Sequence, residues 1–259
     1  MFGGQFVTID HHSTVERGDD AVVDVWIVDL DAWILTHNVG GSAPSRELTS
    51  AARRRDPNGG KRLLARRDVT RRVLGVELGV PFEEVALTRS CPRCGSVAHG
   101  RPRIEGSQMR FSVSSSRGVA AVAVVRPTNC CDSSGMDVGI DIEVSASIAD
   151  CPSSVLSGSE AAAINAIDVA ARSTAFLRLW TAKEAVLKVA GRTIADDTST
   201  VDAIQLLNDS GGQVQFGGLD WRVQRVDMPS VGGAPVVVTV ATGGEAPVVV
   251  RRVVDEIGG

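Results

Sequence analysis

Residues 138–143 read Val-Gly-Ile-Asp-Ile-Glu, and the alternation within them decides the class of fold. A strand sends successive side chains to opposite faces, so Ile140 and Ile142 point one way and Asp141 and Glu143 the other. The apolar side requires a core. The acidic side places two like charges roughly 6.5–7 Å apart along the strand. Either the strand is a half-exposed edge whose acids are covered by water, or something positive lies between them.

Working outward from this strand, the run SEAAAINAIDVAARSTAFLRLWTAKEAVLKVAG (159–191) reads as helix. Ser157 and Glu160 form its capping box, and Gly191 is its C′ residue. The stretches DAIQLL (202–207), DWRVQRVDM (220–228) and APVVVTVAT (234–242) then read as strands between glycine-rich turns. The first half follows the same plan. AVVDVWIVDL (21–30) alternates as a strand, and residues 59–80 carry Leu63, Leu64, Val69, Val73, Leu74 and Leu78 near helical spacing. QMRFSVSSS (108–116) and GVAAVAVVR (118–126) follow as strands.

Strand, helix, then antiparallel strands, written twice, predicts an α+β fold of two similar pseudo-symmetric lobes. Each lobe would lay a long helix on a small antiparallel sheet. The expected organisation is a flexible segment over 1–20, an N-terminal lobe over 21–127, a turn-rich linker over 128–136 and a C-terminal lobe over 137–259.

The chain has 259 residues, 43% hydrophobic and 22% charged, with a formal net charge of −4. That balance disfavours nucleic acid and anionic membrane as general partners. No stretch approaches a membrane span, and no secretory leader is visible at the N-terminus. Five cysteines, an odd number, argue against a disulfide framework. The cytoplasm and a monomer are the expected setting.

Charge is distributed unevenly. Nine arginines and one lysine fall between Arg46 and Arg72, so a small anionic ligand stays open. The chain holds 24 arginines and only three lysines, yet Lys183 and Lys188 lie in one helical run with Trp180 and Glu184. Trp180, Glu184 and Lys188 share a face at spacing four. An i,i+4 pair worth about 0.3–0.5 kcal/mol would explain Glu184 and Lys188, but arginine would serve a solvated face equally well. A compact ammonium suits a phosphate. Glu184 could also join Asp141 and Glu143 as a third hard ligand for Mg²⁺. HGRPRI (99–104) and the serine-rich FSVSSSRG (111–118) offer guanidinium, hydroxyl and backbone donors to a phosphate.

GIDIE followed about forty residues later by WTAKEAVLK resembles the signature of the 4′-phosphopantetheinyl transferases, in their surfactin-synthetase-activating (Sfp-like) group. HGRPRI resembles that family's G-(K/R)-P element, FSVSSSRG occupies the place of its F-N-x-S-H-S-x-G element, and residues 62–75 resemble its arginine-bearing helix. The resemblance implies transfer of phosphopantetheine from coenzyme A, with Mg²⁺, to a serine of an apo acyl or peptidyl carrier protein, a holo-[acyl-carrier-protein] synthase type of activity. It implies Asp141, Glu143 and Glu184 as metal ligands and Lys188 on a pyrophosphate oxygen. Glu184, or a water on the metal, would take the serine proton. Arg62, Arg101, Pro102, Ser114 and Ser115 would line the coenzyme site, and Lys183 would support the loop or the acids.

Ser112 and Ser115 stand where the family has Asn and His, and losing a charged donor costs about 1.5–3 kcal/mol. A weakly active or inactive member that binds coenzyme A or carrier protein is therefore the first alternative. A zinc-ribbon nucleic-acid binder built on Cys91, Cys94 and His99 with the arginine cluster 53–72 is the second, its fourth ligand to come from Cys130, Cys131 or Cys151.

Overall fold

A computed structural model describes residues 22–41, 43–91, 94–97, 100–125, 136–145, 153–192, 198–228, 230–231, 234–244 and 248–252. The fold is α+β. The first sheet takes β1 (Val23–Asp29), β4 (Arg110–Ser116), β5 (Val119–Val125) and β10 (Val248–Arg252) in the order β10-β1-β5-β4. The second takes β6 (Val138–Val144), β7 (Gly211–Phe216), β8 (Leu219–Val226) and β9 (Val236–Thr242) in the order β6-β9-β8-β7. A separate hairpin joins β2 (Leu87–Ser90) to β3 (Arg101–Ile104). The helices are α1 (Leu30–Thr36), α2 (Ser45–Ala52), α3 (Pro57–Leu78), α4 (Gly158–Ala166) and α5 (Val169–Val189).

The layers run helix, sheet, sheet, helix, and strand alternation accounts for them. Val23, Val25, Ile27, Ala121 and Ala123 of the first sheet meet Val138, Ile140, Ile142, Val238 and Val240 of the second in one buried cluster. The alternate residues Trp26, Val28, Ala120, Val122 and Val124 face α3. Val214, Trp221, Val223, Val237 and Ala241 face α5. Each fully buried Val, Leu or Ile contributes about 1.5–3 kcal/mol, so both sheets are anchored on two sides.

Gly139 is why α5 can lie directly on β6. A Cβ there would stand 2.0 Å from the carbonyl oxygen of Ala185, a contact no side chain tolerates. The C-terminus of α5 is held from across the molecule. Arg101 on β3 donates to the carbonyls of Lys188 and Val189 and pairs with Asp137 at 2.6 Å.

Two expectations change. The helical run 159–191 is two helices, because Asp168 accepts from the N–H of Ala170 and caps α5 afresh. DAIQLL is a short 3-10 turn, Ile204–Leu207, not a strand. The strands expected over 108–116 and 118–126 form, and they turn at Arg117 and Gly118, both with positive φ (45° and 88°), as a two-residue hairpin requires. The serines of FSVSSSRG lie within β4.

Other expectations stand. Ser157 and Glu160 form the capping box in full, and Gly191 ends α5 at φ 70°. The three strands β1-β5-β4 lie in that order in the first sheet and β6-β9-β8 in the second. One element crosses the expected division at 128–136: β10, from the second half, pairs in parallel with β1. Segment 1–20 and most of the linker lie outside the described residues.

Candidate functional site

Strand β6 places Asp141 and Glu143 on the face turned to α5, as its alternation requires. Asp141 is 4% exposed and Glu184, on α5, 7% exposed. Spacing by four then sets Trp180 and Lys188 on the same side of α5 as Glu184. The positive group beside the acids is Lys188. Its ammonium lies 2.6 Å from Asp141 Oδ1 and also donates to the Ile140 carbonyl at 3.0 Å and to Ser114 Oγ at 3.1 Å. Its three N–H groups thus all have protein acceptors, so the contact with a pyrophosphate oxygen that the sequence suggested is not open as the side chain stands.

The serines of β4 close the other side. The Ser114 hydroxyl donates to Asp141 Oδ1 at 2.7 Å and the Ser116 hydroxyl to Glu143 Oε2 at 2.6 Å. Ser112 and Ser116 accept the outward N–H groups of Ile140 and Val144. These alternate hydroxyls stand in for a backbone ladder along the free edge of β6. Ser114, expected to line a nucleotide, therefore sits on the Asp141–Lys188 pair.

Two carboxylate oxygens remain over. Asp141 Oδ2 and Glu184 Oε1 are buried and accept no hydrogen bond, which is costly for any buried acid. Burial pushes the Glu184 carboxyl up to about 7, Lys188 offsets part of that, and Asp141 and Glu143 push it further. Glu143 is also raised, first by burial, with the Ser116 hydroxyl and the Trp180 indole as opposing donors. Among the described residues no three His, Cys, Asp or Glu side chains are gathered closely enough to hold a metal as they stand. The donor chemistry fits one nonetheless: three hard carboxylates, two with orphaned buried oxygens, match a hard divalent cation.

Lys183 is separate from this site. It is fully buried, pairs with Glu160 at 2.7 Å, and donates to the carbonyls of Thr198 and Val201. It supports the 198–203 loop.

The arginines divide into spent and unspent. Arg62 forms a two-pronged pair with Asp31 at 2.7 and 2.5 Å, Arg71 pairs with Glu47, and Arg72 with Asp68. Arg101 is occupied by Asp137 and the end of α5, and Pro102 is half-buried in β3 opposite Arg89. Arg62 and Arg101, both expected at the coenzyme, make these contacts in the fold as it stands. Arg66 and Arg67 pair with no carboxylate among the described residues. Arg66 donates to Ser115 Oγ at 3.2 Å, and Arg67 Nη1 is buried without a partner. Burial, then Arg67, Arg54 and Arg89, lower the Arg66 guanidinium's pKa. Burial also lowers that of Arg67, with Glu47 opposing and Arg89, Arg71 and Arg46 reinforcing. The sequence signal that covers Arg66 is the resemblance of residues 62–75 to an arginine-bearing helix, which does not single it out among the arginines there.

Of the possible zinc ligands, Cys91 is buried and Cys94 exposed. His99, Cys130, Cys131 and Cys151 lie outside the described residues.

Residues 137–239 match the family model of the 4′-phosphopantetheinyl transferase superfamily. That segment holds β6, α5 and all three acids, and the match supports a transferase domain there. No curated protein matches the chain. Among the described residues, no helix is long and apolar enough to cross a membrane.

Proposed function

We propose that this protein is a Mg²⁺-dependent 4′-phosphopantetheinyl transferase of the surfactin-synthetase-activating type, acting on a serine of an apo acyl or peptidyl carrier protein. The observation that carries the reading is the pair of orphaned buried carboxylate oxygens on Asp141 and Glu184, inside the matched segment. Asp141, Glu143 and Glu184 would hold the cation, which when bound supplies charge neutralisation for a diphosphate.

The rest falls to the chain. The serine oxygen attacks the phosphorus next to pantetheine, the bond to the nucleotide-side oxygen breaks, and adenosine 3′,5′-bisphosphate leaves. Glu184 receives the serine proton as general base. Arg66 and Arg67, like charges crowded together with no carboxylate bonded to either among the described residues, take the coenzyme's phosphates. Arg66 bonded to Ser115 restores a cation where the family carries histidine, which favours an active enzyme over a binding protein.

Intact-mass measurement tests the reading. A panel of apo carriers incubated with the protein, coenzyme A and Mg²⁺ should gain one phosphopantetheine on at least one carrier, and lose that gain in EDTA. No gain on carriers that a known transferase does modify would sink it.

A further inference from the structure

Asp141 uses its two oxygens unequally. Oδ1 receives both the Lys188 ammonium at 2.6 Å and the Ser114 hydroxyl at 2.7 Å, while Oδ2, also buried, receives no hydrogen bond. Ser114 Oγ in turn accepts from Lys188 at 3.1 Å, so the three groups form a closed ring. The backbone carbonyl of Ile140 fixes the ammonium's third hydrogen.

We propose that Lys188 and Ser114 are positioning residues for Asp141: they clamp Oδ1 so that Oδ2 is presented as the ligand atom for the divalent cation. This rests on the metal assignment made under the proposed function, but gives Lys188 a different task from contact with a phosphate. A cation whose three hydrogens are all accepted by protein would have to surrender a 2.6 Å bond to a carboxylate before touching the coenzyme. Groups that hydrogen-bond a metal ligand fix its orientation, and their loss lowers metal affinity about 10–100-fold. Ser114 takes part because the β4 serines run along the edge of β6, a junction of the two sheets.

The consequence has a sign that separates it from simple electrostatics. Removing a positive charge beside a cation site should tighten the metal. Losing the clamp should weaken it.

The probe is Mn²⁺, with the free ion counted by electron paramagnetic resonance, on the full chain without coenzyme. Lys188→Met is expected to weaken Mn²⁺ binding about 10–100-fold. Ser114→Ala should weaken it by a smaller factor, and Ser114→Thr, which keeps the hydroxyl, should stay near the parent. A fold defect moves thermal stability in all variants but does not distinguish Ala from Thr by a hydroxyl-dependent metal affinity. In EDTA, coenzyme A binding measured by calorimetry should be the same for Lys188→Met and the parent. Equal or tighter Mn²⁺ binding in Lys188→Met overturns the proposal, as does a tenfold loss of coenzyme affinity in EDTA. If the parent protein itself fails to bind Mn²⁺, the metal assignment falls and the positioning role with it. Binding by the parent with tightening in the variant removes the positioning role alone.

Discussion

Two lysine–carboxylate pairs lie five residues apart on α5, and they differ in what they leave over. Lys183 and Glu160 are both fully buried, and every oxygen of Glu160 is used: Oε2 by Lys183 and the Ser157 N–H, Oε1 by the Ala203 N–H. Lys188 is fully partnered, but Asp141 is met on Oδ1 alone, and Asp141 Oδ2 and Glu184 Oε1 stay bare. A buried polar cluster that closes on itself stabilises the fold. One that leaves acceptors unmet keeps a cost in reserve for a ligand to relieve.

The largest test breaks the closed pair. Lys183→Met leaves Glu160 as an uncompensated buried charge, and is expected to destabilise by about 3–5 kcal/mol. The double change Lys183→Met with Glu160→Leu should recover much of that loss, since both charges then go together. Urea unfolding of the three proteins measures it. A single variant as stable as the parent would mean that the closed pair is not what holds α4 and the 198–203 loop to α5.

The open site should respond in the opposite sense. Glu184 has its carboxyl pushed from 4.5 up to about 7, so the folded state binds a proton more readily than the unfolded chain. Stability from this group is complete below about pH 4.5 and falls as pH rises to about 7, a penalty of about 3 kcal/mol above that. Glu184→Gln, in EDTA, should therefore be more stable than the parent at pH 8 by up to that amount and no different near pH 4. The same variant should lose phosphopantetheine transfer. Thermal unfolding across pH gives the first readout, and flat pH behaviour of the parent would show that Glu184 is not strained by burial.

How much of this was legible depends on the range over which the physics acts. The alternation in VGIDIE gave the facing of Asp141 and Glu143, since it needs only neighbouring residues. Spacing by four gave Glu184 with Lys188, and Ser157 with Glu160 gave a cap, each within one helical turn. Asp168 capping α5 was local too, but the apolar periodicity running through Ile167 masked it. The serines of β4 read as strand, but their partners on the free edge of β6 did not show, because they lie about 27 residues away in sequence. Arg62 and Asp31 are 31 apart and Arg101 and Lys188 are 87 apart. No local pattern says which arginines will find an acid.

That last point supplies the smallest test, on α3, where the same contrast between spent and unspent charge recurs one turn apart. Arg66 has only a serine hydroxyl and three arginine neighbours against it. Relief of that repulsion by coenzyme phosphates would make Arg66→Ala lose about 1.5–3 kcal/mol of coenzyme A affinity, or roughly 10–150-fold. Arg62 is half-buried and already answered by Asp31, so Arg62→Ala should change stability by no more than about 0.2–1 kcal/mol and leave coenzyme binding almost untouched. Calorimetric titration with coenzyme A ranks the two. A larger loss at Arg62 than at Arg66 would mean that the Asp31 pair opens for the ligand, and that an arginine's partner in the resting fold does not mark it as spent.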